Sequence, residues 1–224
     1  MMKLTTKSLV LSTATFGLML GVAQNAQASK LITGVTISAT SPNLTQNWAV
    51  DNVINGSGLP GNKPSLGGTH NLSAITNAWR TNSATTAFPL PSPTNPLSIT
   101  FQLGAVPTDL IGFSFWNITG PSSGTISNPM GVKDANLEYS TDGTNFSSLW
   151  TGSFLKGGTT ASGPEVVNFS LVKATHVRLN ITSNYGQAQR VGFNEIAFKS
   201  IPEPSASLAL LGLGLAGVGL RKRI

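Results

Sequence analysis

Short runs in which apolar and polar residues alternate recur through the middle of the chain, separated by clusters of Gly, Pro, Asn and Ser. Val177, Leu179 and Ile181 alternate cleanly, as do Ile111, Phe113 and Phe115. A period of two belongs to a strand with one face buried. The pattern predicts strands over residues 34–39, 97–103, 110–116, 135–140, 146–151, 166–171, 176–182 and 195–198. Asp142-Gly143 between two runs marks a tight hairpin, because Gly accepts the positive φ that such a turn demands. Residues 56–68 and 88–96 read as loops, the latter because the prolines of FPLPSPTNP forbid central-strand pairing. Short strands without intervening helices predict an all-β chain, folded as an antiparallel β-sandwich. Phe101, Phe113, Phe115, Phe169, Phe193 and Phe198 lie in the strand patterns and belong to its core.

Both ends break this pattern. Residues 1–8 carry Lys3 and Lys7 and no acid, residues 9–22 are mostly apolar, and Ala26-Gln27-Ala28 supplies a small-x-small site. These are the three parts of a secretory signal peptide, so residues 1–28 are expected to be removed. An uncleaved anchor is the other reading, but the apolar stretch is short for a span and a cleavage site follows it. At the other end, Pro202-Glu203-Pro204 precedes an apolar run over 205–220 and then Arg221-Lys222-Arg223. Sixteen residues make about 24 Å of helix, a short transmembrane helix against a ~30 Å hydrocarbon core. The terminal basic cluster would stay cytoplasmic, leaving the globular part outside.

The formal net charge of +6 suggests a polyanion partner until the charges are located. Between Ser29 and Ile201 nine basic residues face seven acidic ones, and no basic stripe remains for nucleic acid. Charged residues are only 10% of the chain; Asn, Ser, Thr and Gly fill the gap, a composition common in exported β-rich proteins. With no cysteine, disulfide frameworks, zinc-thiolate sites and thiol nucleophiles are excluded. His70 and His176 are too few for a His-rich metal centre. No G-x-S-x-G, H-E-x-x-H or phosphate-cradling Gly-rich loop occurs. Asp134 and Glu138 could face each other, but a glycosidase pair should line a cleft. The body is expected to be non-enzymatic.

The ordered Pro-Glu-Pro, Gly/Leu-rich span and terminal basic cluster resemble the PEP-CTERM sorting signal. That resemblance implies an exported bacterial protein held transiently in the membrane, an exosortase-type enzyme that removes the tail, and a destination at the cell surface or outside. Its sorting residues here would be Pro202, Glu203, Pro204, Arg221, Lys222 and Arg223. The body, residues 29–201, resembles the discoidin domain, also called the coagulation factor five/eight type C domain. The landmarks are AVDNVING at 49–56 followed by Trp79, ITFQLG at 99–104, YSTDGTNF at 139–146, HVRL at 176–179 and FNEIAF at 193–198. This resemblance implies a galactose-binding-like jelly roll. Asn55 stands where that module usually has Asp, and His176 where it usually has Arg.

Carbohydrate binding through the loops is the function these resemblances imply, with extracellular polysaccharide as the partner. Sugar recognition needs planar hydrogen-bonding groups beside an aromatic face. His70, Arg80, Asn117, Tyr185 and Arg190 are the candidates by loop position. Trp48, Trp79 and Trp116 lie near strand ends too, although Trp79 matches a packed family position. Rival functions are a structural matrix protein without a ligand and a hydrolase of extracellular polysaccharide. The resemblance also implies a structural calcium ion held by Asp51, Asn55 and Glu195. The other readings of those residues are no ion, Glu195 paired with an arginine such as Arg190, or Asp51 capping a turn.

Overall fold

The protein is seen here as a computed structural model, which describes residues 29–41, 48–85, 89–121 and 127–201. The expected signal peptide and sorting segment lie outside the described residues. Ten strands run β1 (Lys30–Leu31), β2 (Thr36–Thr40), β3 (Trp79–Arg80), β4 (Leu97–Gln102), β5 (Thr108–Asn117), β6 (Asp134–Ser140), β7 (Ser147–Ser153), β8 (Glu165–Ala174), β9 (His176–Ile181) and β10 (Gly192–Ser200). They form two antiparallel sheets: β1-β10-β5-β8 with β3 beside β10, and β2-β4-β9-β6-β7. The expected all-β sandwich is the observed fold, and each of the predicted strands overlaps an observed one.

The inner faces meet in one core. Phe113, Phe115, Phe193 and Phe198 from one sheet pack with Ile99, Phe101, Leu137, Val177 and Leu179 from the other. Phe115 stacks on Phe154 with centroids 3.8 Å apart, and Trp79 meets Phe193 edge-on at 5.5 Å. Phe169 is only half-buried, packed at the margin of this cluster.

β10 is buried along all nine of its residues, as among the other strands only the two-residue β3 beside it is. Its outer face is roofed by the segment that follows the 3-10 turn Val50–Val53. Leu59 and Leu66 of that segment pack on Trp116 and Ala197, Leu66 C=O accepts the Ser114 hydroxyl at 2.7 Å, and Gly68 C=O accepts the Trp116 indole N–H at 3.1 Å. Trp116 is thus a core ring beneath this roof, 1% exposed, and not available for stacking on a sugar.

The two ends of the sandwich are unlike. At one end the connections are short: 32–35, 103–107, the 141–146 hairpin and Thr175. The hairpin forms as expected, with Gly143 at φ +75° and Asp142 accepting the Thr144 and Asn145 N–H groups, each at 2.8 Å. At the other end lie the long connections 41–78, 81–96, 118–133, 154–164 and 182–191. All five carbohydrate-site candidates fall at that end.

Candidate functional site

Buried amides and hydroxyls tie the long loops together. Asn117, at the end of β5, donates from Nδ2 to Val132 C=O at 2.7 Å and Leu155 C=O at 2.9 Å, while its Oδ1 accepts the Ile118 N–H. Ser73, Thr119 and Asn194 form a second knot, with Ser73 Oγ donating to Asn194 Oδ1 at 2.6 Å. Asn52 Nδ2 bonds to Ala78 C=O and Ile75 C=O. Each knot satisfies loop backbone groups that burial would otherwise leave unpaired. The loops are therefore held in place without regular secondary structure.

Within this frame the sugar-site candidates separate. His70 is fully buried: its Nδ1 lies 2.8 Å from Asn71 C=O, and its ring packs so closely on Gly58 that a Cβ there would come within 2.5 Å. Burial lowers its pKa below the ordinary histidine value. Asn117 is committed to the loop ties just described. Tyr185 is half-buried, and its hydroxyl donates to Phe154 C=O, fixing 182–191 against 154–164. Burial, with Glu165 and Asp134 nearby, raises the Tyr185 pKa, so the phenol stays protonated. These three residues build the loop end from inside.

Arg80 and Arg190 are placed differently. Gly192 pairs with Arg80 in the β3–β10 ladder, and the pairing continues outward as Thr81 N–H donates to Val191 C=O. Residue 190 thus falls opposite 82, and Arg80 and Arg190 are diagonal neighbours on one face of this ribbon. Arg80 lies over the Trp48 ring at 4.6 Å and is 3% exposed, whereas Arg190 is half-buried and forms the outer member. Burial first, and the charge of Arg190 second, lower the Arg80 pKa. Arg190 Nη2 donates to Ser83 Oγ at 3.0 Å. Arg80 Nε and Nη1 and Arg190 Nε are buried and have no hydrogen-bond partner. The same end carries a cleft of about 200 Å³ between Leu155–Gly158 and Ser162–Glu165, floored by Phe115 and Asn117.

The residues nominated for calcium do not present one set of oxygens. Glu195 is wholly buried and accepts the Gly56 N–H on both carboxylate oxygens, at 3.1 Å each. A donor proton thus faces the group that a cation would need. Asn55 Oδ1 is turned onto the Ser57 N–H at 2.8 Å, and both Asn55 and Asp51 are exposed. Hard-cation coordination wants six to eight converging oxygens, and this donor set does not fit it. Glu195 is not paired with Arg190 either; burial pushes its carboxyl up to about 8, opposed by the Gly56 hydrogen bond. Asp51 and Asn55 instead border an aliphatic hollow of about 560 Å³ with Leu31, Val35, Ile54 and Phe198.

Among the described residues no three His, Asp or Glu side chains gather where they could hold a metal ion. Asp134 accepts the Ser153 and Ser183 hydroxyls at 2.5 Å each, while Glu138 takes Arg178 Nε and Asn180 Nδ2 at 2.8 Å each. Both carboxylates brace strands. His176 begins β9 and bonds to Thr175 Oγ1 beside the hairpin, away from the long loops.

Comparison with known proteins bears on the two parts of the chain separately. The PEP-CTERM protein-sorting motif matches residues 200–223. This marks an exported protein, anchored transiently by its C-terminus before it reaches the cell surface or the exterior. No curated protein matches the sequence. Among solved structures, a fragment of a Bacteroides thetaiotaomicron protein described as a chitobiase is 17% identical, covers 78% of this chain and 93% of its own, and has a TM-score of 0.51. A module of a family 31 glycoside hydrolase bound to GalNAc is 18% identical over 76% of this chain and 98% of its own, at a TM-score of 0.49. A Clostridium perfringens module in complex with GalNAc-β-1,3-galactose is 20% identical over 73% and 92%, at 0.47. The body shares its two-sheet antiparallel β-sandwich fold with the Bacteroides fragment.

Proposed function

We propose that this is an exported, non-enzymatic glycan-binding protein whose ligand is an extracellular polysaccharide. A signal peptide over residues 1–28 starts export, the 29–201 sandwich binds, and an exosortase-type enzyme processes the 202–224 segment. The observation that carries the binding role is the Arg80–Arg190 pair at the loop end: neither guanidinium meets a carboxylate of the described residues, and Arg190 is the half-buried outer member. A guanidinium without an acidic partner is a charged donor for ligand oxygens. Vicinal sugar hydroxyls match the planar fork of a guanidinium, and the tied loops hold that fork before the ligand arrives.

The test is a glycan array probed with the full chain purified in detergent, followed by calorimetry on the strongest hits. Retained binding that Arg190→Gln weakens supports the reading. An entirely blank array overturns it in favour of a structural matrix protein. Release of reducing ends from labelled polysaccharide, lost on replacing one carboxylate, would instead make the protein a hydrolase.

A further inference from the structure

From the charges left around the arginine pair, we infer that the bound saccharide is acidic, its anionic group lying against Arg190 with Arg80 behind. This inference rests on the glycan-binding reading and specifies its ligand class.

Seven acidic residues lie between Ser29 and Ile201, and each has its own place. Asp109 bonds Lys173 at 2.7 Å, and Glu138 bonds Arg178 at 2.8 Å. Asp134 holds Ser153 and Ser183, and Asp142 holds its own hairpin turn. Glu165 accepts the Leu155 N–H at 2.7 Å, Glu195 accepts that of Gly56, and Asp51 stands exposed at the rim of the aliphatic hollow. Neither Arg80 nor Arg190 forms an ion pair with any of them. The sequence between residues 42 and 47, 86 and 88, and 122 and 126 contains no Asp or Glu at all. Among the described residues no carboxylate neutralises the pair.

Two like charges on one face, one of them almost wholly desolvated, disfavour each other and the folded state. Trp48 offers Arg80 a ring face, which attracts the cation without neutralising it. A neutral sugar would satisfy hydrogen-bond donors but leave both charges. A carboxylate or sulfate against Arg190 brings the missing countercharge as well as acceptors, and charge-assisted bonds are roughly twice as strong as neutral ones. Arg190, the half-buried member, meets the ligand, and Arg80 adds its field from the inner position.

The experiment measures binding of the full chain in detergent to polygalacturonate, dextran sulfate, carboxyl-reduced polygalacturonate and neutral galactan, each at low and moderate salt. Wild type should bind at least one acidic polymer about tenfold or more tighter than its neutral counterpart, with affinity falling as salt rises. Arg80→Gln with Arg190→Gln should abolish that preference while thermal stability is unchanged or raised, since an unpaired buried charge has been removed. Arg190→Lys, which keeps charge but not the fork, should retain part of it. Preference for polygalacturonate or dextran sulfate distinguishes carboxylate from sulfate. Equal binding of acidic and neutral polymers, or an acidic preference surviving the double variant, overturns this inference and leaves glycan binding standing. No binding to any polymer overturns both.

Discussion

Replacing Glu195 by Gln should change the pH dependence of stability more than stability itself. Glu195 is wholly buried, accepts one N–H, and has its carboxyl raised from 4.5 to about 8 by burial, so the folded state favours the protonated acid. A folded pKa above the unfolded one gives stability that is complete below about 4.5 and lost as pH rises through about 8. His70 acts oppositely: burial lowers its pKa from 6.5, so it costs stability as pH falls below that value. From 6.5 to 8 the carboxyl dominates, and the small opposite contribution of His70, at most about 0.4 kcal/mol, is common to wild type and variant. At about 1.4 kcal/mol per pH unit, tapering near the folded pKa, wild type should lose roughly 1.5–2 kcal/mol across this interval relative to the Gln variant. That is roughly 3–8 °C in melting midpoint for a domain of this size. The Gln amide oxygen keeps the Gly56 bond without ionising, so the variant should be flat. The assay is thermal melting of the full chain in detergent at pH 6.5, 7.25 and 8, in millimolar calcium and in chelator, with calcium expected to make no difference. Wild-type stability that is flat or rises over this interval, or a slope that calcium reverses, would refute the reasoning and show an ionised carboxylate holding a cation.

Other outcomes follow from single contacts. Asn117→Ala strands the buried Val132 carbonyl and frees the partly buried Leu155 carbonyl, and should cost about 1–3 kcal/mol, read from urea midpoints. Phe115→Ala empties the ring stacked on Phe154 and should cost about 3–5 kcal/mol by the same measurement. Gly56→Ala, at φ +74° with Lys63 backbone 2.1 Å from the new Cβ, should displace the roof over β10 and expose Trp116, visible as a tryptophan fluorescence shift. Intact mass of the extracellular form should lack residues beyond about Pro204; a mass that includes Arg221 to Ile224 would mean that the tail is kept.

Strands with one buried face were legible because the pleat writes itself into the residues: Val177, Leu179 and Ile181 are all buried while Arg178 is not. β10 was seen only in its middle, since a strand covered on both sides loses the alternation, and its buried Asn194, Glu195 and Lys199 read as polar positions. β1 and β3 are two residues long and carry no period at all. At the loop end, sequence position found Arg80 and Arg190 but could not bring them together, because 79–84 meets 189–193 across some 110 residues. Nor could it separate them from His70 and Asn117, whose polar side chains turn inward to hold backbone. The tryptophans followed the same logic: Trp48 serves as the ring under Arg80, and Trp79 and Trp116 are packed.

The ladder that pairs Lys30 with Ser200 sets how the domain carries load. The chain leaves β10 at the short-loop end, while Arg190 sits two residues before β10 begins at the opposite end. A pull between a polymer gripped at Arg190 and an attachment beyond Ile201 runs lengthwise down one strand, about 30 Å at ~3.3 Å per residue. β10 is also an interior strand, with β1 and β3 on one side and β5 on the other. Tension therefore acts in shear on many backbone hydrogen bonds at once and does not peel them one by one. The strand that would join ligand to exit is thus an interior strand, loaded along its length and not across its edge.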